Sequence, residues 1–536
     1  MEIRKLLVAN RGEIAARVFR ACDGEGIATV AVVAPDDSRF HARAAGETVE
    51  ISSYLHPEEH IRAAKETGAD AIHPGYGFVA ENADFAEAVE AAGLVFVGPP
   101  PEALRRGGDK LEAKRAAMEA GVPTLPTGEP DELGHPLMIK AAAGGGGRGM
   151  RIVRSATELD EAVEAARREA KAGFGDETIF FERYLERPRH VEIQLLADSH
   201  GNVYSLGERE CSVQRRHQKV LEEAPSPAVD PALRSRMSEA AVAFARAIGY
   251  RSLGTAEFLL DGGDFYFLEL NGRIQVEHPV TEDATGVDLV RLQLAIARGD
   301  ELPPPPSFRR HGVEARLYAE DPRSFLPQTG TIERLRLPSA IRVDAGVGEG
   351  DEVGVAYDPM IAKLIASGPT REEALARLAA ALAETEVEGV TTNLPFLRWL
   401  VSHPAVHAGR TTTAFLTEYP PLSTLPSKLP EGPWAEPWRL NLPFPQPTPV
   451  PDPDEVSHDS RHTGGHSTLS APMPGTVIRV AVAAGEHVAA RQPLVVLEAM
   501  KMETPILAPY DAVVAAVNVT EGERVAGGAV LIELEE

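Results

Sequence analysis

Apolar runs alternate with helically spaced segments up to about residue 110. Lys5–Ala9 and Ala28–Val33 are short apolar runs, Gly12–Ala21 between them has helical spacing, and Ala71–His73 and Val95–Val97 each lead into a glycine-rich turn. This is the βαβ pattern of an open parallel sheet. From about Lys114 longer helices separate pairs of strands. Near Gly312 a third section opens, with strands expected at Glu314–Tyr318 and Ile332–Arg336 and helices at Arg371–Glu384 and Leu394–Val401.

The polar positions of Phe265–His278 stand out. If this segment is extended, Leu268, Leu270, Ile274 and Val276 face one way and Glu269, Asn271, Arg273, Gln275 and Glu277 the other. Five polar side chains on one strand face are costly unless they meet water, ions or substrate. A solvated edge strand is the plainer alternative, but the neighbouring positions are apolar. The preceding strand, Thr255–Leu260, turns back through Asp261–Asp264. A three-residue loop or a G1 bulge, though not a two-residue loop, sets Glu257 opposite Glu269. Facing carboxylates repel, and oxygen-preferring Mg²⁺ relieves this, so Glu257, Glu269 and Asn271 are the expected metal ligands.

His135–Ala143 reads as a strand ending in Lys140, followed by Gly144-Gly145-Gly146-Gly147-Arg148-Gly149-Met150 and a second strand from Met150 to Val153. A glycine run between two strands is a poor dinucleotide site, which needs a strand feeding a helix. It suits a flap whose N–H groups close over phosphates beside Lys140. A purely structural glycine hairpin is the alternative. No G-x-x-x-x-G-K-[S/T] sequence occurs.

Between Pro420 and Pro453 there are twelve prolines in 34 residues. Such chain is extended and semi-rigid, and at ~3.1 Å per residue it reaches up to roughly 100 Å. It reads as a tether, or alternatively as a wrapped surface segment docked through Trp434, Trp438 and Phe444. Beyond it an internal repeat appears. Gly485-Glu486-His487-Val488 recurs 37 residues later as Gly522-Glu523-Arg524-Val525, and Val477, Val480, Val482, Leu494 and Leu497 recur as Val514, Val517, Val519, Leu531 and Leu534. Two similar β-sheets packed face to face are expected. Lys501 falls between the halves, at a hairpin turn where a modified lysine has room to swing.

The 536 residues suggest three or four domains. A net charge of -26 disfavours nucleic-acid and membrane partners. Two cysteines, Cys22 and Cys211, fit a reducing compartment. No run reaches the ~18 apolar residues of a membrane span. A strand followed by an amphipathic helix at the N-terminus reads as mature cytoplasmic protein rather than a transit peptide.

From Ala471-Pro472-Met473-Pro474-Gly475 through Glu498-Ala499-Met500-Lys501-Met502 to residue 536, the sequence resembles the biotinyl domains of biotin-dependent carboxylases. Residues 1 to about 425 resemble biotin carboxylase, an ATP-grasp enzyme. The motifs are Ala9-Asn10-Arg11-Gly12-Glu13-Ile14-Ala15, His73-Pro74-Gly75-Tyr76-Gly77-Phe78, Gly108-Asp109-Lys110 and Glu208-Arg209-Glu210-Cys211-Ser212-Val213-Gln214-Arg215-Arg216-His217-Gln218-Lys219. The resemblance implies an α/β chain with a Rossmann-like N-terminal sheet (1–113), an ATP-grasp domain (114–312) and an α+β C-terminal domain (313–425). The proline tether (426–465) and a small all-β biotinyl barrel-sandwich (466–536) complete it.

It further implies ATP contacts at Lys110, Lys140, Gly145, Gly146, Leu185, His190, Gln214 and His217, with Glu182 nearby, and two Mg²⁺ or Mn²⁺ ions at Glu257, Glu269 and Asn271. Bicarbonate would be held by Lys219, Arg273, Gln275 and the Val276 backbone, and a biotin pocket formed by Tyr76, Gly77 and Arg316. Lys501 would carry the biotin. Glu277 is the expected base, its pKa tuned by Arg273 or Lys219, and Arg316 the expected stabiliser of charge on the biotin oxygen. The implied partners are a separate carboxyltransferase β subunit, a biotin protein ligase acting transiently, and a second copy of the chain in a homodimer. Acyl-CoA acceptors of the acetyl, propionyl or methylcrotonyl type are implied, and less often pyruvate. Another ATP-grasp ligase, or a carrier scaffold with an inactive ATP site, remain rival readings.

Overall fold

The computed structural model describes residues 2–142, 150–174, 176–215, 218–425, 462–463, 466–473, 475–499 and 502–535. Gly145, Gly146, His217, Lys501 and nearly all of the tether lie outside the described residues.

Five parallel strands, β1 (Lys5–Val8), β2 (Ala28–Val33), β3 (Glu47–Glu50), β4 (Ala71–His73) and β5 (Val95–Phe96), form the first sheet in the order β3-β2-β1-β4-β5. The helix Gly12–Glu25 turns Ile14, Ala15, Val18, Phe19 and Cys22 inward at helical spacing. It stops at Gly26, whose left-handed backbone (φ 69) glycine adopts without penalty. The order reverses between β1 and β4, where α/β sheets open a crevice at their carboxyl ends. Asn10 ties the two lips of this crevice: its amide donates to the carbonyls of Pro74 (2.8 Å) and Tyr76 (2.7 Å).

A small sheet follows, ordered β7-β6-β8, from β6 (Leu137–Ala141), β7 (Arg151–Val153) and β8 (Ile179–Arg183). Its core is little more than Leu137, Ile139, Val153 and Ala166 of the helix Leu159–Phe174.

The main body is one eight-stranded sheet. It contains β9 (Arg189–Ala197), β10 (Val203–Arg215), β11 (Gln218–Ala224), β12 (Ser252–Asp261), β13 (Asp264–Asn271), β14 (His311–Tyr318), β15 (Arg342–Ala345) and β16 (Met360–Gly368), in the order β13-β12-β9-β10-β11-β14-β16-β15. Sheet pairing therefore runs unbroken across residue 312, joining the expected second and third sections. On β9, Val191, Ile193 and Leu195 enter the core with Phe244 and Phe258, while His190, Glu192 and Gln194 point to the opposite face. That opposite face is buried too, and it carries the charged cluster described below.

Two expectations are corrected here. β12 and β13 join through a two-residue turn, Gly262-Gly263, yet Glu257 still lies opposite Glu269. The cause is a bulge inside the ladder. Phe258 pairs with Phe267 and Glu257 with Glu269, so Leu268 is the extra residue. Second, the strand ends at Asn271 rather than running to His278. Residues 272–277 bend, and a helix, His278–Thr285, follows.

The last section is two sheets enclosing Leu469, Val477, Leu494, Leu497, Val514, Leu531 and Leu534, all fully buried. The strand order Val530–Glu535, Ala512–Val517, His487–Val488 in one sheet is repeated in the other as Pro493–Ala499, Gly475–Val480, Arg524–Val525. Each half lends its short strand to the other sheet, and Gly485 (φ 88) and Gly522 (φ 86) make equivalent turns. Pro493–Ala499 and Met502–Leu507 pair down to Ala499 opposite Met502, which leaves residues 500 and 501 between them.

Candidate active site

Four neighbouring strands place charged side chains in one row. Glu269 of β13 pairs with Glu257 of β12, Glu257 with Glu192 of β9, and Glu192 with Arg209 of β10. Three carboxylates in succession repel one another and are held by cations. The Lys219 ammonium reaches Glu192, Glu257 (2.8 Å) and Glu277 (2.6 Å). Arg209 is completely buried and uses all five N–H groups, on Glu192, Gln194, Thr281 (3.0 Å), Thr255 (3.1 Å) and Gln275 (2.9 Å). It fixes Gln275 although residues 272–277 are not a strand.

Glu257 also accepts from the amides of Asn271 and Gln275, both at 2.9 Å, and lies 2.9 Å from His190 Nε2. Burial works to raise its pKa, but Lys219 and His190 hold it well below the usual carboxylate range. Its cross-strand partner Glu269 behaves oppositely, raised by burial and by Glu257 itself. Two facing carboxylates, one starved of a cation, suit a hard divalent ion with oxygen ligands. The residues present fit such an ion, with the Glu257 and Glu269 carboxylates facing each other and the Asn271 amide within hydrogen-bond reach of Glu257. A second grouping, His190 with Glu192 and Glu257, also brings its ligand atoms within 4.8 Å, but Lys219 already supplies the positive charge there.

Glu277 is 2 % exposed and anchored on two cations, Lys219 at one oxygen and Arg316 (2.9 Å) at the other. Despite burial, Lys219, Arg316 and Arg209 hold it strongly ionised. Of the two cations expected to tune it, Lys219 pairs with Glu277 and Arg273 does not. Arg273 instead donates to Glu81 (2.9 Å) and to the side-chain Oδ1 of Asn271 (2.9 Å), and Glu81 also accepts from the Gly272 N–H (3.0 Å). A side chain at 272 would bring its Cβ within 2.8 Å of the Leu104 Cδ2 methyl, which would have to shift.

Nearer the nucleotide-side residues, Lys114 and Lys140 both grip Glu182 of β8. Lys110 opens a helix whose Asp109 N-cap accepts from the N–H groups of Leu111 and Glu112. Gln214 bonds His190 Nδ1 at 2.8 Å, and half-buried Leu185 lies in the connection between β8 and β9. At the β1/β4 crevice, the Tyr76 hydroxyl donates to Glu13, whose other oxygen meets Lys363 at 3.1 Å. Lys363 in turn donates to the Val276 carbonyl (2.9 Å). A buried chain thus links Tyr76 to Val276. Beside Tyr76, Gly77 has open space around its Cα (φ 66).

Arg209, Glu192, Glu81, Glu13 and Lys363 were not singled out in the sequence. The alternation His190-Val191-Glu192-Ile193-Gln194-Leu195 is a signal that would have found Glu192.

Behind Arg316 lies a further pair, Glu222 of β11 directly opposite Glu314 of β14, both fully buried. Glu222 meets Arg316 Nε at 2.6 Å, and burial pushes its pKa up to about 7 against that arginine. Glu314 has no hydrogen-bond partner among the described residues, and burial raises its pKa well above normal despite Lys363. With its folded pKa raised by burial, Glu314 holds its proton to higher pH than the unfolded side chain, which releases it at about pH 4.3. The parent therefore loses stability as pH rises above that value, by up to ~1.4 kcal/mol per unit. Neutral Glu314→Gln escapes this loss, so its melting temperature relative to the parent is expected to climb between pH 5 and 8. A gap that stays flat or shrinks would contradict a protonated Glu314.

The similarities to known proteins agree with this geometry. The biotin carboxylase N-terminal domain model matches residues 2–104, the carbamoyl-phosphate synthase L chain ATP-binding domain 109–304, the biotin carboxylase C-terminal domain 314–418 and the biotin-requiring enzyme domain 467–534. A biotin carboxylase of Halalkalibacterium halodurans is 48 % identical over 78 % of this chain and 98 % of its own. A biotin-dependent acyl-coenzyme A carboxylase alpha3 subunit of Mycobacterium leprae is 42 % identical over 99 % of both chains. Among solved structures, the biotin carboxylase domain dimer of Hydrogenobacter thermophilus 2-oxoglutarate carboxylase, with MgADP, ADP and bicarbonate, superposes with a TM-score of 0.76. It is 43 % identical and covers 78 % of this chain and 98 % of that one. With carboxylase and carrier parts matched along a single chain, the protein belongs to the biotin-dependent carboxylases, as an ATP-dependent biotin carboxylase fused to its biotin carrier domain in the manner of acyl-CoA carboxylase α subunits.

Proposed function

We propose that the cluster around Lys219 forms carboxyphosphate from ATP and bicarbonate, and that the carboxyl group is then delivered to biotin held on Lys501. The observation that carries this reading is the position of Glu277, which shares one oxygen with Lys219 and the other with Arg316. One carboxylate thereby touches both halves of the chemistry.

Lys219, Arg273, Gln275 and the Val276 N–H hold bicarbonate. Lys363 occupies the Val276 carbonyl and so sets the orientation of that peptide. As long as Lys219 and Arg316 grip Glu277, it is a poor base. Lys219 turning its charge to bicarbonate raises the proton affinity of Glu277. It then takes the bicarbonate proton. The freed oxygen attacks the γ-phosphorus, ADP leaves, and carboxyphosphate breaks to CO₂ and phosphate. Mg²⁺ or Mn²⁺ bound by Glu257, Glu269 and Asn271 supplies charge neutralisation on the phosphates. Lys110, Lys140, Gly145, Gly146, Leu185, His190, Gln214 and His217 bind the nucleotide, and Glu182 positions Lys140. Biotin supplies the ureido nitrogen that receives the carboxyl group. Tyr76 and Gly77 would line the pocket that holds it, phosphate would take up that nitrogen's proton, and Arg316 would face the oxygen on which charge grows.

Arg316→Ala tests the division of labour. Bicarbonate-dependent ATP cleavage without biotin is expected to stay within about threefold of the parent, while biotin carboxylation falls about 100-fold or more. Equal losses in both assays would count against this role.

The chain is divided as 1–113, 114–312, 313–425, a tether at 426–465 and a carrier at 466–536. The carrier, biotinylated by a biotin protein ligase, travels to a carboxyltransferase on a separate chain. A homodimer through the carboxylase part, and a cytoplasmic location, complete the reading. Among the described residues no helix is long and apolar enough to cross a membrane.

A further inference from the structure

We infer that the carrier domain has a built seat on the carboxylase part, formed by Leu326 and Asp36, which receives the end of the carrier adjoining Lys501. Met473 is 1 % exposed but does not belong to the carrier's own hydrophobic core; the buried apolar residue it packs against is Leu326, 6 % exposed, from the carboxylase part. A second contact joins Arg524 of the carrier to Asp36 at 3.5 Å.

Both carrier residues lie at one end of that domain. Thr476, three residues after Met473, pairs with Arg524 on one side and with Glu498 on the other, beside the point where Pro493–Ala499 runs out into residues 500 and 501. The end of the carrier placed on the seat is thus the one that bears the biotinylated lysine.

The carboxylase residues sit where such an end is useful. Leu326 closes the loop that follows β14, the strand of Arg316. The bridge between Glu320 and Pro327, the Asp321 N–H to Leu326 carbonyl bond and the Gln328 N–H to Ala319 carbonyl bond hold this loop in shape. Arg215 braces it from below, paired with Glu320 and lying over the rings of Tyr318 (5.0 Å) and Phe325 (5.9 Å). Asp36 follows β2. Its neighbour Asp37 bonds Arg11 and Tyr54, and Tyr54 packs on Phe78 (5.0 Å), two residues from Tyr76. One contact therefore hangs from the loop after the strand bearing Arg316, and the other from the loop after β2, which Tyr54 and Phe78 connect to the turn of Tyr76. An apolar pair gives the seat its grip, and an exposed ion pair gives it orientation.

The inference rests on the carboxylase-plus-carrier reading, and its test separates the two. In the full biotinylated chain, the single-turnover transfer of label from bicarbonate to carrier-held biotin is compared with free-biotin-stimulated ATP cleavage. Leu326→Ser and Met473→Ser are each expected to slow transfer to the carrier about tenfold. Free-biotin cleavage should stay within about twofold, with biotin loading checked by streptavidin shift. Asp36→Arg should slow transfer about threefold, and combining it with Arg524→Asp should restore it. Parental transfer rates in both serine variants, or loss of free-biotin cleavage in Met473→Ser to the same degree as transfer, would overturn the seat. Absence of free-biotin-stimulated cleavage in the parent would instead overturn the carboxylase reading.

Discussion

Lys501→Arg is expected to take up no biotin and to drop overall carboxylation of acyl-CoA by at least about a thousandfold, because the carrier's millimolar effective concentration disappears with the attachment point. Arginine keeps the charge and much of the length of lysine, but its delocalised guanidinium is not an amine that can form the amide link. The carrier fold should survive, since its core of Leu469, Val477, Leu494, Leu497, Val514, Leu531 and Leu534 lies between the two sheets. Bicarbonate-dependent ATP cleavage with added free biotin should therefore persist. A streptavidin blot and ¹⁴C-bicarbonate fixation with the partner subunit read the two arms. Retained streptavidin binding would place the biotin elsewhere.

Glu277→Gln is expected to cut bicarbonate-dependent ATP cleavage by about 10²–10⁴-fold, the usual range for a general base. The amide matches the carboxylate in shape, so the packing around Lys219 and Arg316 changes little. The two cations hold the Glu277 pKa below the usual carboxylate range, so the parent residue is ionised throughout neutral pH. The ratio of parent to variant activity should then be level from pH 6 to 8. A loss below tenfold, or one confined to carboxyl transfer, would remove Glu277 from the bicarbonate step.

Much of the fold could be read from the sequence because its signals are local. The helices Arg371–Glu384 and Leu394–Val401 were legible from spacing alone. The carrier repeat predicted two related sheets because a period of 37 residues preserves the burial of Val477 and Val514, and of Leu494 and Leu531. The register of Glu257 against Glu269 was anticipated with the wrong cause, since a bulge at Leu268 leaves no mark in the turn. Arg209 was harder to see. Its five partners come from β9, β12, the 272–277 bend and the following helix, and no spacing along the chain announces such convergence. Glu81 was missed for a similar reason, as it reaches Arg273 from nearly two hundred residues upstream.

The unbroken pairing of β11 with β14 also bears on how the protein is made. While the chain leaves the ribosome, β11 is synthesised before its neighbour and waits as an open edge. Until β14 emerges, its backbone groups have no partner on that side and Glu222 lacks the arginine that compensates it. Such an edge is an aggregation risk during synthesis. Any truncation near residue 312 makes that temporary hazard permanent, so the smallest fragment with a complete sheet extends through Gly368.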